Sequence, residues 1–314
     1  LIFIKDSVLL LKPGCWLLFI FVSQNTHKMK STKTQKVWFI TGASRGFGLE
    51  ISKAILAVGD KLVATVRSKP EELSTQLGNH KDLSVVVLDI TNEEQAKVAA
   101  KQAVDTFGRI DILVNNAGYG LLSGVEEATA QEIKNNYEVN VFGMLNVTRA
   151  ILPYMRAQGS GHVINISSIG GLSGFVGWGI YGSTKFAVEG ITEAMAQELA
   201  PLGIYATVVA PGFFRTEFLD HASLVKTSNE ISDYAATVGE MRTFAVNANK
   251  KQPGDPVKLA QAFIKLGHAE KPPVHLPLGN DTLARFREKT AAFEKEITEW
   301  HDVITGTDHD DVAA

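Results

Sequence analysis

An apolar strand, a glycine-rich turn and a helix follow one another between Lys36 and Val58, and this trio restricts the fold more than any other stretch. Lys36-Val37-Trp38-Phe39-Ile40-Thr41 is a continuous apolar, β-rich run, the pattern of a strand buried on both faces. Thr41-Gly42-Ala43-Ser44-Arg45-Gly46-Phe47-Gly48 comes next, then the amphipathic run from Leu49 to Val58. Glycines let a backbone approach a phosphate, and the free N–H groups of a helix N-terminus point at it. In this setting Gly42, Ser44, Arg45, Gly46, Phe47 and Gly48 read as a nucleotide cradle rather than a plain tight turn. Lys61 to Val66 is a second strand and closes a βαβ unit.

The alternation continues along the chain. Leu83 to Leu88 reads as a third strand ended by Asp89 and Ile90, and Thr91-Asn92-Glu93-Glu94 has capping-box spacing for a helix to Phe107. Ile110 to Val114 is a fourth strand, ended by Asn115-Asn116-Ala117-Gly118, whose small and amide residues allow a ligand close to the backbone. A long helical region covers Gln131 to Met155 and contains Asn140, a polar amide among apolar neighbours that implies a satisfied buried contact. His162 to Ser167 is a fifth strand and Ile204 to Ala210 a sixth, with a helix to Ala200 between them, stopped by Pro201. Asp255-Pro256 is an N-cap and first-turn pair for a helix to Leu266, Val274 to Leu278 a last strand, and Asn280 or Asp281 the cap of a helix to Trp300. Strands alternating with helices predict an α/β chain: one Rossmann-type, doubly wound parallel sheet with helices on both faces, binding its ligand at the carboxyl ends of the strands.

The chemistry gathers around Tyr181-Gly182-Ser183-Thr184-Lys185 and around Ser168, thirteen residues before the tyrosine. Residues four apart on a helix share a face, so Tyr181 and Lys185 are neighbours. An ammonium near a phenol stabilises the phenolate and lowers the tyrosine pKa, which makes an acid or base for neutral pH. Ser168 ends the fifth strand, where it can hydrogen-bond a substrate oxygen. The spacing alone is weak, because tyrosine and lysine are common in helices. Gly170 to Ile180, glycine-rich with apolar side chains, reads as a mobile wall over this site. At the end of the second strand stands Arg67, where a carboxylate would bond the 2′-hydroxyl of NAD, and Arg45 lies inside the glycine turn. Guanidinium groups suit a 2′-phosphate, so NADP(H) is favoured over NAD(H), which the same cradle also accommodates. Glu71 and Glu72, slightly later, weigh the other way.

Composition narrows the function classes. A net charge of −3 gives no reason to expect nucleic acid or an anionic membrane as partner. Cys15 is the sole cysteine, which precludes an intramolecular disulfide and fits a reducing, cytoplasmic compartment; the eight histidines show no metal-ligand spacing. Residues 1–28 precede the first methionine, Met29, and their apolar run is broken by Lys12-Pro13-Gly14. They read as a non-native or disordered extension without stable membrane insertion. The expected domain covers 29–304 with a substrate lid over about 213–250, and the polar, acidic tail 305–314 is expected to be disordered.

From about Lys36 to Phe218 the chain resembles the short-chain dehydrogenase/reductases, through Thr41-Gly42-x-x-x-Gly46-x-Gly48, Asp89, Asn115-Asn116-Ala117-Gly118, Asn140, Ser168, Tyr181-x-x-x-Lys185 and Pro211-Gly212, in the family's order and spacing. Ser167-Ser168-Ile169-Gly170-Gly171-Leu172 and Pro211-Gly212-Phe213-Phe214-Arg215-Thr216 look like the 17β-hydroxysteroid-dehydrogenase-like branch and related bacterial oxidoreductases. The resemblance implies an oxidoreductase moving a hydride between nicotinamide and a carbonyl or secondary alcohol. Tyr181 would be the general acid/base, Lys185 would lower its pKa and hold the nicotinamide ribose, Ser168 would orient the carbonyl, and Asn140 would support a water-linked proton path. Asp89 and Ile90 would meet the adenine, Asn116, Ala117 and Gly118 the ribose, and Pro211, Gly212, Phe214 and Thr216 the nicotinamide. Phe175, Trp178, Phe213, Phe214 and Phe218 point to a small apolar substrate, or equally to packing. A homodimer or homotetramer through the 131–155 and 181–200 helices is family-typical. The rivals are an epimerase or dehydratase on the same fold, and a non-catalytic dinucleotide sensor or scaffold.

Overall fold

Each apolar run read as a strand becomes a strand of one sheet in the computed structural model, which describes residues 35–309. In chain order the elements are β1 (Val37–Ile40), α1 (Gly46–Ala57), β2 (Lys61–Val66), α2 (Pro70–Gln76), β3 (Leu83–Val87), α3 (Glu93–Phe107), β4 (Ile112–Asn115) and β5 (Gly120–Leu122). There follow α4 (Ala130–Tyr137), α5 (Met144–Gln158), β6 (Gly161–Ile166), α6 (Ile169–Leu172), α7 (Gly179–Leu199), β7 (Ile204–Pro211) and β8 (Leu224–Lys226). The last are α8 (Glu240–Ala248), α9 (Pro256–Gly267), β9 (His275–Leu278), α10 (Asn280–Glu299) and α11 (His301–Thr305). The seven-stranded sheet runs β3-β2-β1-β4-β6-β7-β9, with every pairing parallel. The strand order reverses between β1 and β4, which opens a crevice at their carboxyl ends.

Alternation along β1 shows how the two faces are buried. Trp38 and Ile40 point into one cluster with Ile51 and Ile55 of α1 and Leu259 and Phe263 of α9. Phe39 points the other way, into a cluster with Ala96, Ala99 and Ala103 of α3, Ile151 and Met155 of α5 and Leu199 of α7. Full burial of each large apolar side chain stabilises the fold by about 1.5–3 kcal/mol. The Trp38 indole N–H is satisfied inside the core by Asp60 Oδ2 at 2.9 Å.

Some expectations change. The helix of 131–155 is two helices, α4 and α5, joined by a wide π turn over Glu138–Gly143. The cap of α3 is Asn92, whose Oδ1 accepts from Gln95 N at 3.0 Å, so the four-residue box starting at Thr91 does not form. A small parallel pair, β5 with β8, joins the stretch after β4 to the segment after β7. Three-residue strands carry too little pattern to be read from sequence. The extension 1–28 lies outside the described residues, as do residues 310–314 of the expected tail.

Candidate active site

The glycine turn is shaped as a cradle. Gly42 and Gly46 have φ of +67° and +54°, the left-handed region that side chains disfavour. A Cβ at Gly48 would run into the Gly42 carbonyl oxygen. No side chain caps α1, and its first turn holds no acid, so its leading N–H groups remain available to an anion. Thr41 Oγ1 accepts from the N–H groups of Asn116 and Ala117, both at 3.0 Å. Asn116 Nδ2 donates back to Thr41 O at 2.8 Å and Gly42 O at 2.9 Å. These bonds stitch the cradle to the end of β4 where the strand order reverses. The residues present therefore fit a dinucleotide.

Beside the cradle stand Ser168, Tyr181 and Lys185. Ser168 is half-buried two residues beyond the end of β6, and its Oγ accepts from Gly170 N at 3.1 Å. Tyr181 and Lys185 are buried one turn apart on α7. Lys185 Nζ donates to Ile166 O at 2.9 Å and lies 5.8 Å from the centre of the Tyr181 ring. Burial pushes the Tyr181 phenol up to about 12, opposed by hydrogen bonding with Ser168. Burial also brings Lys185 down to about 8, opposed by the Glu189 carboxylate. This corrects the expectation of a lowered tyrosine pKa. The ammonium is directed at the Ile166 carbonyl, so desolvation dominates and the phenol keeps its proton at neutral pH. Ser167 is fully enclosed, and its Oγ donates to Lys185 O at 3.3 Å.

Asn140 lies in the π turn and ties two elements together. Its Oδ1 accepts from Tyr119 N at 3.0 Å, and its Nδ2 donates to Tyr119 O at 3.0 Å and Thr184 Oγ1 at 3.1 Å. A Cβ at Gly118 would stand 2.9 Å from Asn140 Oδ1, so only glycine fits beside it. Asp89 closes its own turn, Oδ1 accepting from Thr91 N at 3.0 Å and Oγ1 at 2.8 Å. The Ile90 side chain packs under Gly143, and its carbonyl accepts from Asn146 Nδ2 at 3.1 Å. After β7, Gly212 N donates to Leu278 O at 2.9 Å, and Phe213 N to Asp281 Oδ2 at 2.6 Å. Phe214 meets Phe47 edge-on at 5.4 Å, and Thr216 lies next to Gly46. The loop 211–216 thus rests against the glycine turn.

Comparison with known proteins agrees with this geometry. The family model for short chain dehydrogenase matches residues 36–225. The chain belongs to the short-chain dehydrogenase family. Its members are oxidoreductases acting on CH–OH groups. A curated relative, Oxidoreductase BOA17 of Botryotinia fuckeliana (strain B05.10), is 36% identical over 270 residues, covering 85% of this chain and 97% of its own. A crystal structure of a short-chain dehydrogenase from Streptomyces avermitilis is 39% identical, with a TM-score of 0.81, covering 88% of this chain and 100% of its own. The structure of ElxO with NADP bound is 29% identical with a TM-score of 0.67, covering 80% of this chain and 99% of its own.

Within this short-chain dehydrogenase the remaining expected residues separate. Trp178 and Phe218 flank the Tyr181 ring at 5.8 and 5.7 Å and stack on each other at 6.5 Å. Phe213 packs on Phe244, and Phe175 lies beneath the Arg285 guanidinium at 5.1 Å, so neither adjoins the phenol. Arg67 is exposed at the end of β2. Arg45 instead reaches the segment after β7: Nε donates to Ser223 Oγ at 3.1 Å and an Nη to Ala222 O at 2.5 Å. The expected mobile wall is a packed one where it meets α7. A Cβ at Gly182 would stand 3.0 Å from Gly170 O, and one at Gly171 the same distance from Lys185 O. These glycines serve close approach of α6 to α7 rather than freedom.

Sequence reading missed a buried ion pair. Glu127, after β5, is fully enclosed and pairs with Arg242 of α8. Its Oε2 also accepts from Gly124 N at 2.7 Å and its Oε1 from Ile231 N at 3.1 Å. Burial pushes its pKa up, but the Ile231 and Gly124 N–H groups and Arg242 together hold it below the usual value. No local signal joins residues 115 positions apart. Among the described residues no group of His, Cys, Asp or Glu is placed to hold a metal ion, and no helix is long and apolar enough to cross a membrane.

Proposed function

We propose that this chain is an NADP(H)-dependent oxidoreductase for an apolar ketone or the matching secondary alcohol, with Tyr181 as general acid/base. The observation that carries the reading is the convergence of Ser168, Tyr181 and Lys185 beside a glycine cradle with an uncapped helix N-terminus. When bound, the nicotinamide supplies or accepts the hydride at the carbonyl carbon. The chain supplies the rest. The Tyr181 O–H gives its proton to the carbonyl oxygen as negative charge gathers there, and takes it back in the reverse direction. Ser168 Oγ accepts from Gly170, and its own O–H, next to the phenol, turns to donate to the same carbonyl oxygen. Lys185, charged below about pH 8 and one turn from the phenol, would hold the nicotinamide ribose. Asn140 holds the 119 loop against α7 and so keeps the site in shape.

Trp178 and Phe218 around the phenol support an apolar substrate, and the segment over about 213–250 serves as its lid. Arg67 at the end of β2 supports NADP(H) over NAD(H), while Arg45 contributes less because the 222–223 segment engages it. The reading also takes residues 29–304 as one working domain in the cytoplasm, able to assemble through the helices of 131–155 and 181–200. The KM for NADPH against that for NADH tests the cofactor choice. A KM for NADPH at least tenfold lower is expected, and Arg67→Ala should erase most of the difference; a preference for NADH would contradict it.

A further inference from the structure

The long helix α10 carries an apolar stripe that the described residues leave uncovered. Leu283, Phe286, Thr290, Phe293, Ile297 and Trp300 recur at alternating intervals of three and four residues along α10 and its end. That interval repeats every seven residues, the spacing of a two-helix seam. The stripe is exposed where it should be buried: Phe286 is 46% exposed, Phe293 60% and Trp300 62%. The body-facing side of α10 is a different one. It carries Thr282, which is buried, and Arg285, which donates to Ser173 Oγ at 3.0 Å; Lys289, exposed and with its Nζ over Phe186 at 4.7 Å, stands on the border between the two sides.

The charges bordering the stripe are sorted along the helix. Arg287 and Lys289 flank its first half, on either side, and Glu294 and Glu296 flank its second half on the same two sides. We propose that two copies of this chain pair through α10, antiparallel. In that register Leu283 meets Trp300 of the partner subunit, Phe286 meets Ile297 of the partner subunit, and Thr290 meets Phe293 of the partner subunit. Each arginine and lysine then faces a glutamate: Arg287 opposite Glu294 of the partner subunit, and Lys289 opposite Glu296 of the partner subunit. Two-fold symmetry doubles both pairs, and the contact is self-complementary. A parallel pairing would match Lys289 with Glu294 of the partner subunit but leave Arg287 and Glu296 without an opposite charge. It would also crowd both globular bodies at one end. A lipid surface is a poorer occupant, because α10 carries five acidic and four basic residues, with no cationic excess to attract anionic headgroups.

Charge exchange tests the pairing on the full chain. Molar mass by sedimentation velocity over a dilution series would be read for the wild type, for Arg287→Glu/Lys289→Glu, and for Glu294→Lys/Glu296→Lys. Each double variant places like charges in every pair, so its self-association should weaken by about tenfold or more. An equimolar mixture of the two variants restores all pairs and should associate as tightly as the wild type. These four positions lie outside the active site, so NADPH turnover of each variant reports that it is folded. Association unchanged in either double variant alone, no recovery in the mixture, or a wild type that is monomeric at all concentrations would each overturn the proposal.

Discussion

Tyr181 and Lys185 are displaced in opposite senses by one cause, loss of water around both. The consequence for stability has a sign. An unfolded lysine titrates near 10.5 and the folded Lys185 near 8, so below pH 8 both states are charged and the folded chain bears the burial cost in full. Between pH 8 and 10.5 the folded chain has released a proton that the unfolded chain still holds, and stability rises with pH by up to about 3 kcal/mol. Above pH 10 Tyr181 acts the other way, because the unfolded phenol ionises before the folded one, which holds its proton to about 12. Urea midpoints of the wild type and Lys185→Met, measured from pH 7.5 to 10, should show the wild type gaining on the variant as pH rises. Parallel curves would mean that Lys185 does not titrate in this range. The neighbouring serines part in a second way. Ser167 Oγ is enclosed against the α7 backbone, whereas Ser168 Oγ stands next to the phenol. Ser168→Ala should lower kcat by about 100-fold or more, and Ser167→Ala by less than about tenfold. The reverse order would exchange their roles.

At the scale of elements, the segment after β7 is held at both ends of the site by atoms far away in sequence. Arg45 grips it at residues 222–223, β8 pairs with β5, and Glu127 takes Arg242 together with the Ile231 N–H. A carboxylate so enclosed is tolerated because every bond it accepts is supplied by this one segment and its own loop. Glu127→Gln would leave the half-buried Arg242 with only the exposed Glu230 carboxylate, at 3.6 Å, as counter-charge. It should destabilise the fold by about 3 kcal/mol, and hydrogen exchange should quicken first in residues 224–248. An unchanged melting temperature with unchanged exchange would show that the pair does not anchor this segment. The π turn plays the matching role on the other side, placing Asn140 between Tyr119 and Thr184.

For the molecule as a whole, legibility follows the range of the forces. The five inner strands of the main sheet are buried on both faces and the edge strands β3 and β9 are half-buried, yet each is written as a local apolar run, and the turns at their carboxyl ends could be read from the residues following each run. Gly42, Gly46 and Gly48 were legible for the same reason, since backbone shape is local. What was not legible depends on distant partners: the Glu127–Arg242 pair, the diversion of Arg45, the β5–β8 pairing, and the dominance of burial over the Lys185 charge at Tyr181. Asn140 showed only as an amide out of place, because the π turn that aims it has no sequence signature. The account as a whole stands on Tyr181 as the proton donor. The most direct test is NADPH consumption at 340 nm against a panel of apolar ketones and aldehydes, with wild type and Tyr181→Phe compared for turnover and for NADPH binding. The account predicts turnover that falls by about a thousandfold in Tyr181→Phe while NADPH binding is kept. A variant that turns over at the wild-type rate would contradict it.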